Sequence, residues 1–410
     1  MPIGRYQVWL AASAAVLFYS NVLVYLALKG LSPVAPMMIV ALFGLLALPV
    51  TLQRGRLWPT LSSPLAAWAV IAVFVATIGF LRSSQSAIAL ERYVDICGGA
   101  AFLLLMVFLF ADAESLAASR TTLVACVIVS VTLNAYDISH PFIFSPILGR
   151  AGGLYVNPNI SALALVFGLI VTIDVVPSKW RAIYVVVVGL GVALTLSRAG
   201  VLLWGMVSFF LVVRRRVEWR RLAVTVAMVS LGLWMWLIIG GHLEQVIEAV
   251  GGIRNLPLDR LTMTAAAGDV SARTRHEVAW AAARLFEKNP IIGAGLGATS
   301  EWALPVSAHN MYLRLAAELG VAGVVLFPAL GIAAGLAAKG GHRFTSHLYA
   351  VAWFVAGMFS HNLLEERPEL VTLAIVAAAT LLGSDATEGS PPSLSRASTE
   401  GSDGKSEHLL

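Results

Sequence analysis

The chain has 410 residues, of which 58% are hydrophobic and 12% are charged, and its net charge is +5. Because soluble globular domains carry roughly 25% charged residues, this composition excludes an ordinary soluble protein and indicates a polytopic membrane protein. The modest positive charge favours basic loops at a membrane over a nucleic-acid surface. Cys97 and Cys126 both lie in apolar segments, so we expect free thiols, without a disulfide framework or a zinc site.

Apolar segments close to the ~20 residues that span a bilayer recur along the chain. They predict an all-α integral membrane protein with about twelve transmembrane helices. The segments cover residues 8–28, 34–52, 64–81, 93–110, 121–137, 158–176, 181–197, 199–213, 222–239, 321–338, 345–361 and 368–383. The first segment exceeds the apolar core of a signal peptide, so we expect an uncleaved first span.

Lysine and arginine concentrate in alternate loops, which sets the predicted orientation. The basic residues of the richer set are Arg54, Arg56, Arg120, Lys179, Arg181, the cluster RRRVEWRR at 214–221, Lys339 and Arg343. These loops are predicted to be cytoplasmic, with both chain termini on the same side. The other loops then face outward, which in a Gram-negative cell means from the inner membrane into the periplasm.

The only long polar interval between apolar segments covers residues 240–320. We expect it to form one large periplasmic loop, containing short helices and part of an active site, inserted into a membrane domain over residues 1–383. Residues 384–410 are rich in serine, glycine, proline and charge, which predicts a disordered cytoplasmic tail.

Two helices are predicted within this loop. The first runs over Ala272–Lys288, with Ser271 as its N-cap, and a helix lying on the membrane surface would explain its pattern equally well. The second begins at His309 and Asn310. Between them, the glycine-rich IIGAGLG lacks the Lys-Ser/Thr of a nucleotide loop and predicts a tight turn at which the backbone passes close to the membrane or a ligand.

Three arginines on the predicted outer side call for an explanation. Arg198 stands in TLSRAG between two apolar runs, Arg150 precedes the span at 158–176, and Arg275 occupies the first turn of a helix, where it opposes the helix dipole. A snorkelling helix end would account for Arg198 alone. Several arginines without an acidic cluster favour binding of phosphate or pyrophosphate, whose oxygens the guanidinium binds bidentately. A divalent metal is therefore not required.

Polar residues of other kinds lie on the same side. Asn157 and Pro158 are well placed to begin a helix, and capping would explain Asn157 and Asn159 without a role in binding. A lone histidine is more often a hydrogen-bonded structural residue than a catalyst. His309 is nevertheless a candidate base, because it stands at a helix start among the other unusual polar residues.

Four motifs in this order resemble the O-antigen ligase family. They are GRAGGLYVNPN, LSRAG ahead of a span, an arginine-rich helix ending in KNPIIGAGLG, and AHNMYLRLAAELGVAG, over about 150–205 and 271–323. The resemblance implies a GT-C type membrane glycosyltransferase, without a cofactor, that moves polysaccharide from undecaprenyl pyrophosphate onto the lipid A–core of lipopolysaccharide.

The resemblance also implies residue roles. The family's loop histidine matches His309 as general base, and its arginines match Arg198 and Arg275, with Arg273 a rival for the second position. Arg150 would assist in donor binding, with Asn159 and Asn310 supporting the site. His361 repeats a His-Asn pair at another outer turn, and the resemblance gives it no role.

Three alternatives stay open. An O-antigen polymerase would use the same donor with a second lipid-linked chain as acceptor. A protein oligosaccharyltransferase is disfavoured, since such chains usually carry additional C-terminal sequence. A transporter or flippase of lipid-linked anions would need its arginines at bilayer depth, whereas here they cluster at the outer surface.

Overall fold

The computed structural model describes residues 3–52, 59–239, 270–302, 308–336, 338 and 340–388, and over these ranges every regular element is helical. The predicted all-helical fold class is therefore confirmed for this part of the chain. The helices are α1 (Ile3–Ala14), α2 (Val22–Leu28), α3 (Pro36–Thr51), α4 (Pro64–Arg82), α5 (Ala87–Phe110), α6 (Ala113–Ser139), α7 (Pro158–Thr172), α8 (Arg181–Leu194), α9 (Arg198–Val213), α10 (Trp219–Ile239), α11 (Val270–Lys288), α12 (Met311–Gly331), α13 (Arg343–Gly357) and α14 (Arg367–Glu388).

Each of the twelve predicted apolar segments falls on one or more of these helices. Within the described ranges, four helices are long and apolar enough to cross a membrane: α4, α5, α6 and Met311–Gly335, which extends α12. A fifth is obtained if the pair Gly4–Tyr19 and Val22–Leu28, bent by 45°, is one span. The multi-pass character is supported, and the number of about twelve spans stays a prediction.

Two predicted boundaries differ from the structure. Helix α11 begins at Val270, so Ser271 lies inside its first turn and is not the N-cap. Helix α14 continues to Glu388, past the predicted start of the tail at residue 384, so helical hydrogen bonding extends beyond the apolar segment into the polar SDATE. Residues 240–269 of the predicted loop, and residues 389–410 of the predicted tail, lie outside the described residues.

Helix α7 lies at the centre of the bundle. Every residue from Ser161 to Thr172 is buried, as expected for a helix that is apolar on all sides. It packs against α8, α9, α13 and α14. On its α13 side, the rings of Phe167 and Tyr349 lie 4.8 Å apart. Helix α7 therefore forms the buried centre against which these helices pack.

One end of the bundle is defined by Asp174, which follows α7. Its carboxylate accepts hydrogen bonds from Arg216 Nη1 at 3.1 Å and from Thr345 Oγ1 at 2.8 Å. The guanidinium of Arg214, at the C-terminal end of α9, lies 5.9 Å from the ring of Phe344 at the start of α13. Helices α9 and α13 pack side by side and therefore run antiparallel. We call this the Asp174 end.

Candidate active site

His309 lies at the opposite end of the bundle, immediately before α12. Asn310 is the N-cap of that helix, and its side-chain oxygen accepts a hydrogen bond from Leu313 N at 3.1 Å. The side-chain nitrogen of Asn310 donates to the carbonyl oxygen of Met358 at 3.3 Å. Asn310 thus ties the start of α12 to the end of α13 and fixes the backbone that carries His309.

A cavity of about 180 Å³ opens beside His309. It is lined by Ala279, Ala308, His309, Asn310, Met358 and Phe359. Its lining combines two polar residues, His309 and Asn310, with the apolar Met358 and Phe359. A half-buried imidazole at the edge of such a cavity can reach a ligand and still be sheltered from bulk water.

Helix α11 carries both predicted loop arginines and contributes one residue, Ala279, to the lining of this cavity. Arg275 lies one helical turn before the cavity residue Ala279, so the two positions share a face of α11. Arg273 lies two positions earlier and does not share that register. The structure describes the backbone of both arginines, and their side chains lie outside the described atoms.

Arg150 and Asn159 are in direct contact. Arg150 donates from Nη2 to Asn159 Oδ1 at 3.0 Å and from Nε to the carbonyl oxygen of Thr195 at 3.0 Å. Asn157 caps α7, as predicted, by accepting from the backbone N–H of Asn159 at 2.9 Å. Arg198 follows Thr195 by three residues and is exposed at the first position of α9.

The antiparallel arrangement of α9 and α13 places these residues on the side of His309. Helix α9 ends at Arg214 beside the start of α13, so Arg198 at its other end lies where α13 ends. Met358 and Phe359, which line the His309 cavity, follow α13 directly. Two groups of predicted residues, one around Arg150 and one around His309, therefore lie at the same end. We call it the His309 end.

A second histidine, to which the family resemblance assigns no role, contacts His309. The ring centroids of His309 and His361 are 4.8 Å apart and the ring planes meet at 78°. The carbonyl oxygen of His361 accepts a hydrogen bond from Arg314 Nη1 at 2.6 Å. The available signal was the His-Asn pair, which occurs at both 309–310 and 361–362.

Arg314 belongs to a buried chain of alternating charges. Its Nη1 lies 2.6 Å from Glu365 Oε1, and its Nε lies 3.7 Å from Glu318 Oε2. Arg92 donates to the other oxygen of Glu365 at 2.7 Å, and Thr299 Oγ1 donates to Glu318 at 2.6 Å. Because a buried charge requires a partner, these contacts lock α5, α12 and the turn before α14 together.

The surroundings of His361 keep its imidazole neutral. Burial is the largest cause, followed by the positive charge of Arg314 and the proximity of His309, and together they lower the pKa of His361 from 6.5 to about 3. His361 is therefore uncharged at neutral pH. It can contact His309 without adding a positive charge to the site.

The glycine-rich turn packs against an interruption in α12. Gly320 has φ +66° and ψ −148°, which breaks the helix. The N–H groups of Ala294 and Gly295 donate to the carbonyl oxygens of Ala317 and Glu318 at 2.8 and 3.0 Å. The close approach predicted for this turn is thus made to protein backbone, and these contacts satisfy carbonyls that the break leaves without helical partners.

The O-antigen ligase family matches residues 183–327. This match confirms the family resemblance, and it covers Arg198, both loop arginines and His309. It does not extend to Arg150 or His361. No curated protein matches the chain. The family supports an enzyme with O-antigen ligase-like or polymerase-like activity on a lipid-linked polysaccharide.

Proposed function

We propose, with the match to the O-antigen ligase family as the premise, that this protein is an O-antigen ligase. It transfers polysaccharide from undecaprenyl pyrophosphate to lipid A–core in lipopolysaccharide biosynthesis. The observation that carries the proposal is that Arg198 and His309 lie at the same end of the bundle. An anion-binding group and a proton acceptor on one side are what transfer from a pyrophosphate donor requires.

The arginines bind the donor. Arg198 is exposed at the start of α9, and Arg150 is held by Asn159 and the Thr195 carbonyl. Arg275 shares a helix face with the cavity residue Ala279. Guanidinium groups bind pyrophosphate oxygens bidentately and stabilise the charge that develops as the pyrophosphate departs. Asn159 supports the donor site by orienting Arg150, and Asn310 supports His309.

The transfer is a single inverting displacement. The acceptor hydroxyl oxygen attacks the anomeric carbon of the donor sugar from the side opposite the phosphate. The bond between that carbon and the phosphate oxygen breaks, and undecaprenyl pyrophosphate leaves with the electron pair. The proton of the hydroxyl passes to a neutral nitrogen of His309. Charge neutralisation comes from the arginines, so the reaction uses no metal or cofactor.

The proposal includes a topology. The bacterial inner membrane holds about twelve spans within residues 1–383, with both termini in the cytoplasm. The Asp174 end, to which Arg214 and Arg216 belong, then faces the cytoplasm in accord with the positive-inside rule. The His309 end faces the periplasm, where the loop at 240–320 completes the active site. The residues that follow α14 form the cytoplasmic tail.

An in vitro transfer assay tests the function. Purified protein is mixed with undecaprenyl-pyrophosphate-linked glycan and lipid A–core in the presence of EDTA, and wild type is compared with His309→Ala. His140→Ala is the matched control, because His140 stacks on Tyr136 with ring centroids 4.0 Å apart and is exposed. Glycan on lipid A–core with wild type and the control, and none with His309→Ala, supports the proposal.

Other outcomes distinguish the alternatives. Donor chains that lengthen while lipid A–core stays bare identify a polymerase. Donor binding without transfer to either acceptor identifies a carrier of lipid-linked anions. Loss of transfer in EDTA that added metal restores contradicts the arginine-based mechanism.

A further inference from the structure

We infer that His361 is a positioning residue that holds the imidazole of His309 in the orientation for proton uptake. The inference rests on the proposed function, because it assigns His361 to the same site. It differs from the family resemblance, which gives His361 no role and whose matched region ends at residue 327.

The contact between the rings supports the inference. The planes of His309 and His361 meet at 78° with centroids 4.8 Å apart, which is an edge-to-face arrangement. Such pairs have a preferred geometry and contribute roughly 0.5–1.5 kcal/mol beyond the area that they bury. His309 is half-buried at the edge of a cavity, and the His361 ring that lies against it restricts the rotation of its imidazole.

The backbone of His361 is itself held in place by a buried side chain. Arg314, whose side chain is 1% exposed, donates to the His361 carbonyl at 2.6 Å and is matched by Glu365 and Glu318. The next residue is fixed as well, because Asn362 donates to Glu366 Oε1 at 2.5 Å. A turn anchored by a buried ion network can transmit its position to the ring it carries.

The charge state of His361 suits this role. Burial and the nearby Arg314 keep its pKa low, so the ring stays neutral when His309 accepts a proton. A charged neighbour would repel the new imidazolium, whereas a neutral ring does not. His309 is then the member of the pair that takes up the proton, and the neutral ring of His361 orients it.

Kinetic comparison of two substitutions tests the inference. His361→Phe preserves an aromatic ring for the edge-to-face contact, and His361→Ala removes it, with His140→Ala as the control. We expect His361→Ala to lower kcat by about 10- to 100-fold with little change in donor KM, the scale expected for a misplaced catalytic group. His361→Phe should recover most of kcat. Equal losses in both variants, or wild-type kcat in His361→Ala, would overturn the inference.

A second readout does not depend on transfer activity. Diethyl pyrocarbonate modifies neutral imidazoles, and mass spectrometry gives the modification rate of His309 separately. We expect that rate to rise several-fold in His361→Ala and to stay near wild type in His361→Phe, since only the alanine removes the ring that covers His309. Equal rates in all three proteins contradict the positioning role. If His309→Ala retains transfer while these rates differ, the proposed base is wrong and the ring contact stands.

Discussion

The guanidinium of Arg314 donates to the carboxylate of Glu365 across 2.6 Å, and the Arg314 side chain is only 1% exposed. The pair joins α12 to the turn before α14. Both halves of the histidine contact lie on these elements, since His309 precedes α12 and His361 lies in that turn. The ion network and the histidine contact therefore join the same two segments of the chain.

Replacing Arg314 should destabilise the fold strongly. Arg314→Met leaves Glu318 and Glu365 buried beside less positive charge, and breaking a buried pair in this way typically costs about 3–5 kcal/mol. The matched control is Arg221→Met, because Arg221 pairs with Glu218 at 2.7 Å on an exposed surface, where a pair contributes about 1 kcal/mol or less. Thermal unfolding in detergent gives both values, and a similar fall in Tm for the two variants would contradict a structural network.

The break in α12 should depend on glycine at position 320. Gly320→Ala imposes φ +66° on a residue with a side chain and places its Cβ against the carbonyl oxygen of Ile291, so we expect a loss of about 1–3 kcal/mol. Gly205→Ala is the control, since nothing lies within 4 Å of a Cβ there and alanine favours the helix by about 0.5–1 kcal/mol. Opposite changes in Tm are expected, and stabilisation by Gly320→Ala would show that the break is not needed.

Arg198 should act through its forked guanidinium. Arg198→Ala is expected to lower kcat/KM for the donor by about 10²–10³-fold, comparable to the loss of one group that stabilises transition-state charge. Arg198→Lys should recover only part of this, because lysine keeps the charge and loses bidentate geometry. Steady-state transfer kinetics measure both effects. Arg220→Ala, at an exposed arginine beside Trp219, is the control, and an equal loss there would indicate a general effect of surface charge.

The pH dependence of stability should report the neutral state of His361. Its pKa is about 3 when folded and near 6.5 in the unfolded chain, so the unfolded chain binds the extra proton between these values. The contribution of neutral His361 to the free energy of unfolding is fully present above pH 6.5. It is lost as the pH falls towards 3, by at most about 1.4 kcal/mol per pH unit. We expect the Tm of wild type to fall more than the Tm of His361→Phe as the pH is lowered through this range.

A second titrating residue, Glu366, also changes the stability with pH. Its contribution cancels when the Tm of wild type is subtracted from the Tm of His361→Phe. Burial, followed by the charge of Glu365, raises the pKa of Glu366 to about 7, and this contribution to stability is lost as the pH rises from 4.5 to about 7. Its sign is opposite to that of His361, and Glu366 is present in both proteins. Stability curves that stay parallel from neutral pH down to about pH 4 would show that His361 is not held neutral.

Local pattern accounts for most of the helices. Apolar length predicts where they run, and Asn157 with Pro158 predicts the start of α7, because a cap depends on neighbouring residues. The predicted N-cap Ser271 was wrong, since α11 begins one residue earlier. Local signals of this kind define an element well and its final residue poorly.

The setting of the candidate site could not be predicted in the same way. Arg314 and Glu318 were visible in the sequence as an i,i+4 pair, but their burial depends on Glu365, which comes from a distant part of the chain. The ring contact of His309 with His361 likewise requires that α12 and α13 meet at one end. Such contacts follow from tertiary packing, which no local pattern encodes.

Backbone hydrogen bonds hold the glycine-rich turn in place. Ala294 and Gly295 bind α12 through their N–H groups, and Leu296 N donates to the carbonyl oxygen of Gly79 at 3.1 Å. The glycines are needed there, because Gly293, Gly295 and Gly297 have positive φ and a Cβ at Gly293 or Gly295 would meet neighbouring backbone. A substitution at Gly293 would therefore act at a distance, by shifting the backbone of α12 on which Arg314 and Glu318 lie.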